Sequence, residues 1–144
     1  MTELSGARPD IRQVSPSWFR FEGTSRVFWD KDLAKLPPSV TLFNLLPKKQ
    51  ADVWASKLEP SSFAALNATA KYIPYDGKFR SLYVIGNKDF AVPPAFARTY
   101  LDQPGAKFEV VNIESDHMPM LSKPDAFVDV IRTFAGEKKR GYSA

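Results

Sequence analysis

From residue 48 onward the hydrophobic positions recur with regular spacings, and these spacings predict helices and strands. Between 48 and 58 they fall three and four positions apart, as on one face of a helix. Pro60 interrupts this pattern, Ser61 is suited to cap the segment that follows, and 63–70 is predicted to be a second short helix. A turn that contains proline and glycine, at 74–77, ends the helical stretch.

The second half of the chain alternates between strand and helix patterns. The continuous apolar run 82–85 is typical of a strand buried on both faces, and 108–113 predicts a second strand. One helix is predicted to begin at Pro93-Pro94, and another at about residue 122 with Gly136 at its C′ position. Short connections in this order predict parallel strands joined by right-handed crossovers, so the fold class is α/β.

The first 47 residues show no clean helical or strand period. Their prolines and large aromatic residues are Pro9, Pro16, Trp18, Phe19, Phe21, Phe28, Trp29, Pro37, Pro38 and Pro47. This stretch contains too many aromatic side chains for a linker. We therefore expect an irregular segment that packs against another part of the protein.

Composition narrows the chemistry that this chain can perform. Its 144 residues suffice for one domain, and they include no cysteine and one histidine. The absence of cysteine excludes a disulfide framework, a thiolate zinc site, an iron–sulfur cluster and a cysteine nucleophile. A single histidine excludes any site with two imidazoles. Catalysis would use Ser, Thr, carboxylates, amines or that histidine, and we expect neither a cofactor nor a metal ion.

The charge pattern gives no sign of a nucleic-acid or membrane partner. The net charge is +4, and the dense basic run, Lys138 to Arg140, lies in a tail that we interpret as solvated. No stretch approaches the ~18 consecutive apolar residues of a membrane span, and the polar first ten residues carry no apolar signal region. We expect a soluble, cytoplasmic protein.

Two polar residues follow the predicted strands at equal distances. Asp89 lies four residues after Ile85, and His117 lies four residues after Ile113. Neighbouring parallel strands end about 4.8 Å apart at one edge of a sheet, so both side chains can reach the same place. A carboxylate there could fix the imidazole tautomer and leave the other ring nitrogen as a general base. The spacing leaves a second interpretation open, in which Asp89 forms a turn and His117 is an exposed imidazole. Asp116 could equally hydrogen-bond locally or belong to a turn.

Three stretches resemble the α/β-hydrolase family. Residues 82–93 (LYVIGNKDFAVP) resemble its acid-bearing loop. Residues 115–124 (SDHMPMLSKP) resemble its histidine loop, in the form found in plant methylesterases, hydroxynitrile lyases and their fungal relatives. Residues 42–60 are similar to the helical cap of that branch. Together the resemblance covers about residues 40–136, or about two thirds of the chain.

The resemblance implies a partial α/β-hydrolase fold, with a C-terminal parallel β-α-β-α unit preceded by a helical cap. It implies that Asp89 is the acid and His117 the base of a Ser-His-Asp triad in an esterase-type enzyme that acts on carboxylic esters. Hydroxynitrile lyases typically carry lysine after the histidine, and Met118 at this position favours the esterase type. Trp54 and Met118 are expected to contact substrate; a core role for Trp54, and packing of Met118 behind the histidine loop, are the alternatives.

One part of the family pattern is missing from the sequence. The family's nucleophile lies in a Gly-x-Ser-x-Gly turn, whereas the first 70 residues contain only Gly6 and Gly23, neither in such a motif. We therefore expect the acid and base of the triad without its serine, and a chain that is inactive alone. The alternatives are a non-catalytic pseudoenzyme that binds small molecules and a truncated product without independent function.

The chain divides into four segments at this level. They are an irregular N-terminal segment (1–47), a helical cap remnant (48–80), the C-terminal hydrolase core portion (81–136) and the basic tail (137–144). The expected ligand is a small ester-like molecule. Because only two or three parallel strands are predicted, the strand at 82–85 should have an uncovered edge, and we expect marginal stability or self-association through it.

Overall fold

The computed structural model describes residues 10–70 and 72–137. In these two ranges the strands are β1 (Arg20–Glu22), β2 (Arg26–Phe28), β3 (Ser61–Ser62), β4 (Leu82–Gly86) and β5 (Glu109–Ile113). The helices are α1 (Ile11–Val14), α2 (Pro38–Thr41), α3 (Lys48–Ala55), α4 (Phe63–Asn67), α5 (Pro94–Leu101), α6 (Pro119–Ser122) and α7 (Pro124–Phe134), and Pro74–Asp76 forms a 3₁₀ turn. Among these helices there is none with the length and apolar character needed to cross a membrane.

The parallel unit predicted for the second half is present. β4 and β5 pair in parallel, from Leu82 opposite Glu109 to Gly86 opposite Ile113. The crossover helix α5 packs against β4, and α7 packs against β5. The α/β class and the strand–helix–strand–helix order are therefore confirmed, with strand limits within one residue of those predicted.

β4 is less buried than its sequence predicted. Ile85 and Gly86 are buried, but the first three residues of the strand, 82–84, are only half-buried. Within the described ranges β4 pairs with β5 alone. The prediction of burial on both faces is thus wrong for the first part of the strand, because no further strand lies along its other edge in this part of the chain.

The N-terminal segment contains regular structure that its sequence did not reveal. β1 and β2 form an antiparallel hairpin, with Gly23 in its turn at φ 54°, and β3 adds to β2 as a third antiparallel strand. The interpretation of 1–47 as irregular is therefore wrong for 20–28. Strands of three residues are too short to show a period of two. Residues 1–9 of this segment, and residues 138–144 of the basic tail, lie outside the described residues.

The same segment supplies much of the core, as its aromatic content predicted. Trp18 is 6% exposed and belongs to a buried cluster with Leu42, Phe43, Ala51 of α3 and Ala91 of the loop after β4. Trp29 stacks on Trp18 with ring centroids 5.3 Å apart, and Phe19 meets both rings edge-on. This core therefore joins the N-terminal segment, the helical cap region and the acid-bearing loop.

The helices of the cap region are shorter than predicted. α3 ends at Ala55 rather than at residue 58, and α4 ends at Asn67 rather than at residue 70. Ser62, not Ser61, caps α4: its Oγ accepts a hydrogen bond from the amide of Ala65 at 3.3 Å. Ser61 is in β3 instead, where it lies opposite Val27.

The end of α7 follows the prediction. Gly136 has φ 85°, a conformation that glycine adopts without strain. Its amide donates to the carbonyl of Thr133 at 3.0 Å, and the amide of Glu137 donates to the carbonyl of Arg132 at 2.9 Å. These two bonds form a Schellman motif, which ends the helix by satisfying its last carbonyls.

Candidate active site

The acid-bearing loop holds Asp89 in a fixed position at the end of β4. Asp89 is 9% exposed, and its Oδ1 accepts hydrogen bonds from the amides of Ala91 and Val92, both at 2.8 Å. The amide of Asp89 itself donates to the carbonyl of Gly86 at 3.1 Å. These amides occupy one carboxylate oxygen and leave Oδ2 to face a partner.

The histidine loop crosses directly over the end of β4. The amides of Asn87 and Lys88 donate to the carbonyls of Ile113 and Ser115 at 2.8 and 3.0 Å, so backbone bonding continues beyond the parallel pair. Gly86 permits this crossing. A Cβ at that position would lie 2.7 Å from the carbonyl oxygen of Asp116 and 2.8 Å from that of Ser115. No side chain fits there without displacing the backbone of the histidine loop.

The two loops bring Asp89 and His117 into direct contact. Nδ1 of His117 lies 2.9 Å from Oδ2 of Asp89. The histidine side chain is 29% exposed and the aspartate side chain 10%. Because an ionised carboxylate can only accept, this contact places the proton on Nδ1 and leaves Nε2 with a free lone pair. The expectation that both side chains reach the same edge of the sheet is confirmed.

A small cavity of about 240 Å³ lies beside this pair. Apart from the pair itself, its walls come from β4, the acid-bearing loop, the histidine loop, α6 and α7: Tyr83, Val84, Gly86, Val92, Asp116, Pro119, Met120 and Phe127. Most of these side chains are apolar. Burial raises the pKa of the Tyr83 phenol, and the nearby charge of Asp89 acts in the same direction. The phenol is therefore a neutral wall of the cavity at neutral pH.

The structure does not bring the two residues expected to contact substrate into this cavity. Trp54 lies on α3, is 40% exposed, and has the ammonium of Lys57 over its ring at 4.9 Å from the centroid. Met118 packs against the core cluster that contains Trp18. Met120, two residues further on, lines the cavity instead. Packing behind the histidine loop, the alternative that the sequence left open for Met118, is what the structure shows.

The serine hydroxyls of the histidine loop are both used in hydrogen bonds to Asp116. Ser115 is fully buried, and its Oγ donates to the backbone carbonyl of Asp116 at 3.1 Å. Ser122 donates to the carboxylate of Asp116 at 2.7 Å. Neither is presented as a nucleophile. Within the described ranges no group of three or more His, Asp and Glu side chains is placed to hold a metal ion.

Two contributors to the site were not identified from the sequence. Asn44 donates from Nδ2 to the carbonyl of Lys88 at 3.0 Å, across 44 positions of chain. Gly86 matters through its close approach to the histidine loop. The sequence left the role of Asp116 open between a turn residue and a local hydrogen-bonding partner. In the structure its carboxylate accepts hydrogen bonds from the amide of Met118, directly after His117, and from the amide of Leu45. The one sequence signal for a role of Asp116 in the site was its position directly before the histidine.

Comparison with known proteins agrees with this architecture. Residues 2–130 match the alpha/beta hydrolase family. The chain belongs to that family. This hydrolase-family chain is also 31% identical over 96 residues to the alpha/beta hydrolase nvfD of Aspergillus novofumigatus, a match that covers 67% of this chain and 38% of the relative.

Solved structures share the fold of this hydrolase-family chain. Polyneuridine aldehyde esterase superposes with a TM-score of 0.64 at 20% identity, over 87% of this chain and 53% of the esterase. A mutant of the same esterase superposes with a TM-score of 0.56 at 23% identity, over 69% of this chain and 42% of the mutant. The chain thus spans between 38% and 53% of the length of these three proteins. The predicted partial α/β-hydrolase fold is confirmed.

Proposed function

We propose that this chain carries the acid and base of an esterase-type α/β-hydrolase, with Asp89 as the acid and His117 as the base. The observation that supports this proposal is the 2.9 Å contact between Nδ1 of His117 and Oδ2 of Asp89. The order of the two residues along the chain, aspartate before histidine, is that of the family's triad. Carboxylic esters are the proposed substrate class, and the name of a structural neighbour, polyneuridine aldehyde esterase, supports this choice.

The geometry fits the work of such a pair in ester hydrolysis. Asp89, held by two amides, keeps the imidazole in one tautomer and stabilises the imidazolium when it forms. Nε2 of His117 would take the proton of an attacking hydroxyl and return it to the departing alkoxide. The apolar cavity beside the imidazole would receive a small acyl or alcohol group.

The nucleophile is the part of this machinery that the sequence does not contain. No Gly-x-Ser-x-Gly motif occurs in the 144 residues, and Ser115 and Ser122 are engaged with Asp116. We propose that the chain by itself does not turn over esters. A cytoplasmic location belongs to the same proposal and agrees with a sequence free of cysteine.

A second candidate function is the binding of a small apolar ester without turnover. The cavity beside His117 favours it, because most of the side chains that line the cavity are apolar. Saturable binding of such an ester, with no product formed, would support this function.

Nuclear magnetic resonance of the imidazole tests the acid–base pair directly. His117 is the one histidine in the sequence, so ¹⁵N–¹H spectra of the imidazole contain a single ring. In the wild-type chain, at a pH where imidazole is neutral, we expect the Nδ1–H tautomer. The Asp89→Asn variant should lose this preference, because asparagine has one acceptor oxygen where aspartate has two. With that oxygen bonded to the amides of Ala91 and Val92, no acceptor faces Nδ1.

The control for this experiment is Asp102→Asn, which changes an aspartate just beyond α5. Asp102 is exposed, and its substitution should leave the imidazole spectrum unchanged. A wild-type spectrum dominated by the Nε2–H tautomer would contradict the proposed pair, because a catalytic base must keep that nitrogen free.

A further inference from the structure

We infer that Asp116 is a positioning residue for His117, held together with the segment Asn44-Leu45 in a clamp across the two loops. This inference rests on the proposed function, since it assigns a role in orienting the proposed base. Asp116 is 1% exposed. Within the described residues, its carboxylate forms no hydrogen bond to the imidazole of His117. It accepts hydrogen bonds from Met118 and Ser122, which follow the histidine, and from Leu45 of a distant segment.

The carboxylate of Asp116 has three donors from three places in the fold. Oδ1 accepts from the amide of Met118 at 3.0 Å and from the hydroxyl of Ser122 at 2.7 Å. Oδ2 accepts from the amide of Leu45 at 3.1 Å, 71 positions away in the chain. The first two bonds fix the backbone that carries His117 and join it to α6. The third attaches the histidine loop to the segment that follows α2.

The same segment also holds the acid-bearing loop. Asn44, next to Leu45, donates from its side chain to the carbonyl of Lys88, the residue before Asp89. Leu42 and Phe43, at 1% and 2% exposure, anchor the start of this segment in the core. Two consecutive residues therefore hydrogen-bond to the two loops, Asn44 to the acid-bearing loop and Leu45 to the histidine loop. The separation between Asp89 and His117 is set by this clamp as well as by β4 and β5.

The surroundings of Asp116 indicate that its carboxylate does more than form a turn. Within the described ranges no cationic side chain forms an ion pair with it, so its charge is compensated by neutral hydrogen-bond donors. A buried charge is costly, and it is tolerated only when its hydrogen bonds are made. Asparagine has the same shape but one acceptor oxygen, so it cannot accept from Leu45 on one side and from Met118 and Ser122 on the other.

The experiment is Asp116→Asn, read by the tautomer of the single imidazole. We expect the ratio of Nδ1–H to Nε2–H tautomer at His117 to fall by about tenfold, as when one hydrogen bond to the ring is lost. Circular dichroism and methyl chemical shifts, which report the fold, should stay close to those of the wild type. Asp125→Asn, an exposed aspartate at the start of α7, is the matched control and should leave the ratio unchanged.

Two further variants keep the test decisive if Asp116→Asn does not fold. Ser122→Ala removes one donor to Asp116 and keeps the carboxylate, and Asn44→Ala releases the acid-bearing loop alone. Each should lower the tautomer ratio by less than Asp116→Asn. A ratio unchanged in both would overturn the clamp.

The outcomes separate this inference from the proposed function. If the wild-type chain shows the Nδ1–H tautomer, Asp89→Asn abolishes it and the Asp116 and clamp variants leave it intact, the acid–base pair stands and the clamp is wrong. If the wild-type chain already lacks the Nδ1–H tautomer, both are wrong. Loss of the tautomer in Asp89→Asn and Asp116→Asn, with the control unchanged, supports both.

Discussion

At the scale of single residues, Gly86 decides how closely the two loops of the site can approach. Its added Cβ in a Gly86→Ala variant would meet two backbone carbonyl oxygens at 2.7 and 2.8 Å, and backbone cannot give way as a flexible side chain does. We expect this variant to lose about 1–3 kcal/mol of unfolding free energy, the usual cost of overpacking. The histidine loop should also move, so the Nδ1–H tautomer of His117 should be lost. Urea unfolding and the imidazole spectrum measure these effects.

A substitution directly before the other end of the same strand provides the control. Ser81→Ala removes a hydroxyl whose contacts, to the carbonyls of Pro74 and Phe79 at 3.4 Å, are long. It should change the unfolding free energy by less than about 0.5 kcal/mol, as is usual away from special features. A Gly86→Ala chain as stable as the wild type would show that the histidine loop does not cross the strand this closely.

At the scale of elements, β4 combines an apolar sequence with an edge that no other strand covers within the described ranges. An uncovered edge strand invites pairing with another chain, and lysine on such a strand opposes it. We propose that the chain self-associates through this edge. Sedimentation velocity should show a mass that rises with protein concentration for the wild type, and a monomer for Leu82→Lys.

A second apolar residue tests whether the effect belongs to the strand. Phe79 precedes β4 and is 61% exposed, so Phe79→Lys removes more exposed apolar surface than Leu82→Lys without altering the strand. Association should persist in Phe79→Lys. Equal loss of association in both variants would point to general hydrophobicity, and a wild-type chain that stays monomeric at all concentrations would contradict the proposal.

At the scale of the whole molecule, the proposed acid and base, Asp89 and His117, are in contact in a chain whose sequence has no Gly-x-Ser-x-Gly motif. Without a nucleophile, a triad's remaining members give little catalysis. We expect the hydrolysis of a p-nitrophenyl ester by this chain to be no faster than that by His117→Ala. We also expect no covalent labelling by a serine-directed phosphonate.

One result of the turnover measurement would contradict this expectation. Hydrolysis that depends on His117 and is blocked by the phosphonate would show that a serine of this chain serves as the nucleophile. Mass spectrometry of the labelled peptide would then identify it.

The parts of the fold that the sequence predicted are those with local causes. β4 and β5 contain short apolar runs, α5 and α7 have apolar positions at helical spacing, and prolines mark the beginning of both helices. Asp89 and His117 were singled out because each follows a strand at the same short distance, and the resemblance of their loops to those of the hydrolase family favoured them as a pair. Parallel pairing of the strands then places the two side chains together. The hairpin at 20–28 was missed because three-residue strands depend on their partners, here β3, for their conformation.

The sequence alone thus determined the parallel unit and the meeting of Asp89 with His117, since both follow from the apolar patterns and from the geometry of neighbouring strand ends. Only the tertiary structure decided how the pair is held. The bonds of Asn44 to Lys88 and of Leu45 to Asp116 span 44 and 71 positions. The close approach at Gly86 likewise depends on a loop that comes later in the chain. No local pattern records such contacts, because they exist only once the core has brought distant segments together.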